Sequence, residues 1–341
     1  MGGASSKMWC NVVAFCLCWG FRFLFCFLTH LLFLRAHLPP RFNADDIVGR
    51  FNGGANAGHT VVANGKKYAF HLLPCGLIYP HTTNILGNGT VINLVNLFEE
   101  LEPLDEDGLD WKGRLLISDR AHLLFESHKA VDAYQEDARG DANIGTTKKG
   151  IGPAYTSKAT RNGIRAGMLL HFDVFETQLR ELYAFQESQY PGIVLDIEAE
   201  VDRYKKYAEV VKPWIVDGVH FINDAYKNDK RIITEGANAA MLDIDYGTYP
   251  MVTSSATTTG GICTGLGLSP DKIDCALGVI KAYTTRVGWG PFPTELTDDT
   301  CGGMVPRGAE GYVWGWWVVG CGYWVVCAEL YEFFCSRAKE I

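Results

Sequence analysis

Two hydrophobic periods alternate along the middle of the chain. Ile47 to Phe51 has the short rhythm of a strand and leads into Gly53-Gly54-Ala55-Asn56-Ala57-Gly58-His59. Thr60 to Ala63 and Lys67 to Leu73 flank Asn64-Gly65, a pair that tolerates positive φ, which predicts a β-hairpin. Farther on, Arg114 to Ile117 is strand-like, and Phe172 to Gln189 and Ile197 to Tyr226 carry helical spacing. Arg231 to Thr234 and Ala276 to Thr284 read as buried strands. Strands alternating with helices predict an α/β fold with a mainly parallel central sheet flanked by helices.

Composition changes this picture only at the two ends. The chain has 341 residues, 48% of them hydrophobic and 21% charged, which excludes disordered, collagenous and disulfide-scaffold classes. A net charge of -8, from 31 basic and 39 acidic residues, provides no broad basic field, so no nucleic acid partner is expected. Cysteine and tryptophan crowd the termini, with Cys10, Cys16, Cys18 and Cys26 at one and Cys301, Cys321, Cys327 and Cys335 at the other. Cys75, Cys263 and Cys275 lie between, with neither C-x-x-C nor H-E-x-x-H, so no disulfide framework or common zinc site is supported and the body reads as cytoplasmic.

Three zones follow: an atypical hydrophobic segment at 1–40, a body at 41–310, and a Trp- and Cys-rich tail at 311–341. Residues 8–34 could span a membrane, but Arg22 near their centre would cost about 3 kcal/mol. Residues 311–328 carry no charge and four glycines. Membrane attachment through either stretch is the alternative to a cytoplasmic location, and both ends are expected to lie outside the body.

Four constellations in the body can carry chemistry. In Asn56-Ala57-Gly58-His59-Thr60, backbone N–H groups can approach a phosphate and His59 can hydrogen-bond or protonate it, or the segment is simply a glycine turn. Ile144-Gly145-Thr146-Thr147-Lys148-Lys149-Gly150, followed by Tyr155, Lys158, Arg161 and Arg165, suits a phosphate monoester or a solvated basic face. The run from Glu235 to Pro250, with Val252-Thr253-Ser254-Ser255 beyond it, follows a strand, so Asn238 and Thr253 can meet a base or phosphate, or Asn238 can cap a helix. Arg286, in Ala282-Tyr283-Thr284-Thr285-Arg286-Val287-Gly288, is catalytic or paired with Glu295.

Together these blocks resemble the adenylosuccinate synthetase family from about Asp45 to Gly308. G-I-G-P-A-Y-T-S-K-A-T-R at Gly150 to Arg161 is similar to the family signature, and N-A-G-H-T, L-D-I-D-Y-G-T-Y-P and A-Y-T-T-R-V-G are similar to further blocks. The resemblance implies an enzyme that joins L-aspartate to inosine monophosphate (IMP) with GTP and magnesium, or else a catalytically inactive nucleotide-binding relative of such an enzyme. It implies His59 and the signature lysine Lys158 in catalysis. It implies Asn56, Ala57, Thr147, Arg161, Asn238 and Thr253 at IMP, and Gly58, His59 and Thr60 at GTP. By the same resemblance the Gly58 carbonyl meets the metal, and Arg161 reaches across a homodimer.

The departures are equally specific. Family members open with a strand and a phosphate loop G-D-E-G-K-G-K, whose aspartate is base and magnesium ligand, and residues 1–44 match none of it. The P-loop-NTPase-like architecture is therefore expected without its first strand and phosphate loop. The T-T-T-G-R-x-R-R and T-K-L-D blocks do not follow Gly308. Lys149, Ala256 and Trp289 stand where arginine, asparagine and a small residue are usual.

Overall fold

The computed structural model describes residues 23–26, 47–63, 65–140, 143–277, 284–286 and 313–315. In chain order the strands begin with β1 (Phe23–Cys26), β2 (Ile47–Arg50), the hairpin β3 (His59–Ala63) and β4 (Lys66–Phe70), β5 (Thr83–Leu86) and β6 (Val91–Ile92). Helix α1 (Leu94–Glu106), β7 (Leu115–Ser118), β8 (His122–Leu123), α2 (Glu126–Arg139), α3 (Ile151–Thr160), α4 (Phe172–Gln189) and α5 (Ile197–Val211) follow. The remainder comprises β9 (Ile215–Val216), α6 (Gly218–Lys227), β10 (Ile232–Glu235), α7 (Thr259–Leu266), β11 (Cys275–Leu277), β12 (Thr284–Arg286) and β13 (Val313–Gly315).

Among the described residues seven strands form one sheet in the order β11-β1-β10-β2-β5-β7-β9, and every neighbouring pair is parallel. All their carboxyl ends therefore open on one edge. The sheet is covered on both faces, as parallel sheets require. Successive residues point to opposite faces, so Leu86 packs with Leu97, Leu101, Leu179 and Tyr204, whereas Ile85 packs with Ile222, Ile262 and Leu266. Helices α1, α4 and α5 thus cover one face and α6 and α7 the other.

The helices follow from spacing and caps. In α4, Phe175, Leu179, Leu182, Tyr183 and Gln186 form one buried stripe. Asn93 caps α1 by accepting from Asn96 N at 2.9 Å, and Leu94, Leu97, Leu101 and Leu104 are its buried side.

Several expectations need correction. The helical stretch expected over Ile197 to Tyr226 is interrupted: α5 stops at Val211, a turn at Lys212–Trp214 and β9 intervene, and Asp217 starts α6 by accepting from His220 N at 3.0 Å. Pro213 cannot donate to a helix at that point, which explains the break. Of the single buried strand expected over Ala276 to Thr284, the described residues belong to β11 and β12, which lie in different sheets, and residues 278–283 lie outside the described residues. β11 is a sheet edge, and Ala276 on it is exposed.

Short pieces of both end segments, expected to lie outside the body, pair with it. Phe23–Cys26, inside the stretch considered as a membrane span, is a strand between β10 and β11 in the central sheet. Val313–Gly315 of the tail pairs antiparallel with β12. Other residues of 8–34 and 311–328 lie outside the described residues. No helix among the described residues is long and apolar enough to cross a membrane.

Candidate functional site

The site is built where β2, β5 and β10 end side by side. Gly53, just past β2, has φ +75°, a conformation that glycine adopts without strain. Its N–H donates to the Tyr155 hydroxyl at 2.9 Å, and that hydroxyl donates to the Gly89 carbonyl beyond β5 at 2.6 Å. Burial pushes the Tyr155 hydroxyl up to about 12, so it stays a donor at any ordinary pH. Asn52 ties in β10 and the loop after it: its Oδ1 accepts from Ala237 N at 2.9 Å, while its Nδ2 donates to Ser255 Oγ at 3.1 Å and the Ala256 carbonyl at 2.8 Å. Helix α3 is drawn to the same place by Tyr155.

Beneath this loop lies Arg50, only 1% exposed. Its guanidinium donates to the carbonyls of Asn52, Gly54 and His71, holding the glycine loop against the end of the hairpin. Glu235, its parallel neighbour on β10, is buried too and accepts from Cys75 N at 3.0 Å. Burial raises the Glu235 carboxyl, and Arg50 opposes that rise.

Of the residues expected at IMP, three converge. Asn56 Nδ2 donates to Thr253 Oγ1 at 3.3 Å. A Cβ placed on Gly53 would lie 3.5 Å from Asn238 Oδ1 and 3.7 Å from Asn56 Oδ1, so both amides border the same turn. Asn238 is 8% exposed, and its Oδ1 has no hydrogen-bond partner among the described residues. An unsatisfied buried acceptor costs about 1–3 kcal/mol, so this oxygen is open to a donor that the described residues do not supply. It does not cap a helix.

The loop that brings Thr253 back is shaped by Asp243. Its Oδ1 accepts from Asp245 N and Tyr246 N, and its Oδ2 from Thr257 N. Burial alone would raise this carboxyl, but the N–H donors of Tyr246, Thr257, Asp245 and Thr258 hold it below the usual range.

The basic loop is anchored from α2. Glu136 accepts from Gly145 N and Thr146 N, and Asp132 accepts from the Thr146 hydroxyl at 2.9 Å and Gly150 N at 2.8 Å. Lys149 then reaches the Ala55 carbonyl at 2.8 Å, bringing the loop beside Asn56. Thr147 is exposed two residues before it, and Lys148 turns away to pair with Asp137. Lys158 points its ammonium at the Asn88 carbonyl, 3.4 Å away and 5.9 Å from the Tyr155 ring centroid. Burial, then Arg165, lowers its pKa. Arg161 ends α3 with φ 67° and is exposed.

Gly58 lies against the His71 ring, and Thr60 is exposed on β3 opposite Ala69. Ala57 is half-buried. The backbone of His59 opens β3; its side chain, the Arg286 side chain, Trp289 and Glu295 lie outside the described residues. Among the described residues no group of three or more His, Cys, Asp and Glu side chains stands together for a metal. The exposed Gly58 offers a backbone carbonyl, an oxygen donor of the kind that magnesium takes.

Arg50, Asn52 and His71 are the contributors that sequence reading missed. His71 had a signal in the hairpin register, since a ladder pairing His59 with Phe70 sets Gly58 opposite His71 one step beyond.

Two buried histidines lie under α3. His128 Nδ1 accepts from Phe125 N at 3.0 Å, which leaves the proton on Nε2 facing Ser157 Oγ at 3.2 Å. Burial, then His122, lowers His128 to about 3; burial, then Lys158 and Arg165, lowers His122 to about 4. The unfolded chain takes up these protons near pH 6.5 and the folded chain does not. Their contribution is therefore complete above pH 6.5 and shrinks as pH falls toward 4. Each is expected to remove about 2 kcal/mol between pH 7 and pH 5. Glu200 and Glu235, raised by burial, act in the opposite sense. Urea midpoints of the wild type and His122→Asn at both pH values isolate the histidine contribution: the variant should lose less on acidification, and equal losses would contradict the assignment.

The polar loops thus meet at the carboxyl ends of three adjacent strands of an open parallel α/β sheet, the place where such sheets gather their ligands. Residues 42–317 match the adenylosuccinate synthetase family model, and the chain belongs to that family. It is 52% identical over 266 residues to the chloroplastic adenylosuccinate synthetase of Ostreococcus tauri, covering 78% of this chain and 55% of that relative. It is 54% identical over 267 residues to the adenylosuccinate synthetase of Drosophila ananassae, covering 78% and 60%. The structure of fully ligated adenylosuccinate synthetase from Plasmodium falciparum superposes with a TM-score of 0.71 at 47% identity, covering 75% of this chain and 60% of that one. The chain thus spans less than two thirds of the length of these relatives.

Proposed function

We propose that this chain carries the IMP-holding part of an enzyme that ligates L-aspartate to IMP with GTP, which yields adenylosuccinate, GDP and phosphate. The observation that carries the reading is the buried Asn238 Oδ1, unpartnered among the described residues, beside the Asn56–Thr253 contact. These groups can hold a purine nucleotide by its polar edge. Thr147, Ala57 and Arg161 complete the proposed IMP set, with Arg161, exposed at the end of α3, serving a second copy of the chain in a homodimer.

The 6-oxo group of hypoxanthine is a poor leaving group. Transfer of the GTP γ-phosphoryl to that oxygen makes it one that the aspartate amine can displace. Such transfer is mostly positioning and charge stabilisation. In this reading His59 meets the phosphoryl group, Gly58 and Thr60 border GTP, and Lys158 adds positive charge at the end of β5. Magnesium would take the Gly58 carbonyl as one oxygen ligand and neutralise charge on the phosphates. A cytoplasmic location is proposed from the cysteine pattern of the body.

Calorimetric titration with IMP tests the reading. Asn238→Ala should weaken binding roughly 10- to 100-fold, and Thr253→Val about tenfold, with the fold intact. Unchanged affinity in both variants would remove the basis for the assignment.

A further inference from the structure

The β3–β4 hairpin ends in an uneven pair. One step beyond the His59–Phe70 pairing, Gly58 faces His71. With no side chain at 58 the imidazole lies across the glycine: a Cβ there would sit 2.6 Å from His71 Nε2 and 2.7 Å from its Cδ2. A ring laid over a cross-strand glycine supplies packing that the glycine lacks.

The ring cannot drift easily, because the backbone of His71 is held on both sides. Its carbonyl accepts from buried Arg50, the same guanidinium that grips Asn52 and Gly54. Its N–H donates to Glu100 Oε2 at 3.0 Å, and the same carboxylate accepts from Leu72 N and Leu73 N. The first four residues of the glycine loop each have a tether of their own. Gly53 has Tyr155, Gly54 has Arg50, Ala55 has Lys149 and Asn56 has Thr253. At the Gly58 end the His71 ring takes that place.

We propose that His71 is a positioning residue whose ring, lying over Gly58, fixes the Asn56–Gly58 turn in the position from which Asn56 meets its ligand. The inference rests on the proposed reading of the site for its functional consequence, but its structural core does not. The side chain is 38% exposed, so its removal is compatible with folding.

Two measurements on the whole chain test it, with His71→Ala and His71→Phe as variants. In ligand-free protein, amide hydrogen exchange over residues 55–60 should accelerate about tenfold in His71→Ala and return close to wild type in His71→Phe, which restores a ring. IMP affinity should follow the same order, falling roughly tenfold in His71→Ala and recovering in His71→Phe. Unchanged exchange in His71→Ala would overturn the proposal. So would a His71→Phe variant as loose and weak as His71→Ala, since the imidazole itself, and not a ring over glycine, would then be required. Should the wild type take up no IMP, the reading of the site fails, and the exchange result still decides the role of His71.

Discussion

Replacing Arg50 by methionine is expected to destabilise the chain by about 3–5 kcal/mol, because a buried charge is removed from partners that remain buried. Three carbonyls, those of Asn52, Gly54 and His71, lose their donor at once. Glu235 also loses the cation that opposes its upward shift. Arg50→Lys can restore one donor in place of a fork, so it should recover only part of the loss. Urea denaturation followed by circular dichroism measures both. A loss below about 1 kcal/mol for Arg50→Met would show that the loop is held by Asn52 and Tyr155 without the guanidinium.

The second large effect concerns turnover. Purified as a 341-residue chain, the protein is expected to form no adenylosuccinate above background from IMP, aspartate and GTP, while still binding IMP. Residues 1–44 contain no aspartate or glutamate, and Phe27 to Asp46, which follow β1, contain no glycine. Residues 1–44 thus offer no carboxylate base, and the stretch after β1 offers no glycine-rich phosphate loop, of the family's form. The absence of one preorganised donor costs on the order of a hundredfold or more, and here the base and several donors are concerned. Continuous spectrophotometric assay decides the point. Robust turnover, abolished by His59→Ala, would mean that another residue of this chain takes the proton.

Much of the fold was legible because its signals are local. Asn64-Gly65 specified the hairpin, and the spacing of Phe175, Leu179, Leu182 and Gln186 specified α4 from Phe172 to Gln189. Helix α1 also carries a readable signal in Asn93 and its leucine spacing, but Pro103 inside it reads as a stop. The strand at Phe23–Cys26 was not legible. A uniformly apolar run has no period, and only its pairing with β10 and β11 distinguishes it from a helix.

The site divides in the same way. Asn56, Asn238 and Thr253 were read from short blocks and do meet, although 197 residues separate Asn56 from Thr253. Arg50 carried no signal of its own within the strand-like Ile47 to Phe51, and its role depends on carbonyls that only the folded chain assembles. His71 depended on register, which a sequence shows only after the turn is known.

The central claim, that IMP sits where β2 and β10 end, is tested most directly by a crystal structure of the chain grown with IMP. The account predicts that the nucleotide lies against Asn56 and Thr253, that a donor satisfies Asn238 Oδ1, and that Thr147 reaches the same ligand. IMP bound elsewhere, or Thr147 and Asn238 found on opposite faces of the sheet with IMP touching only one, would contradict it.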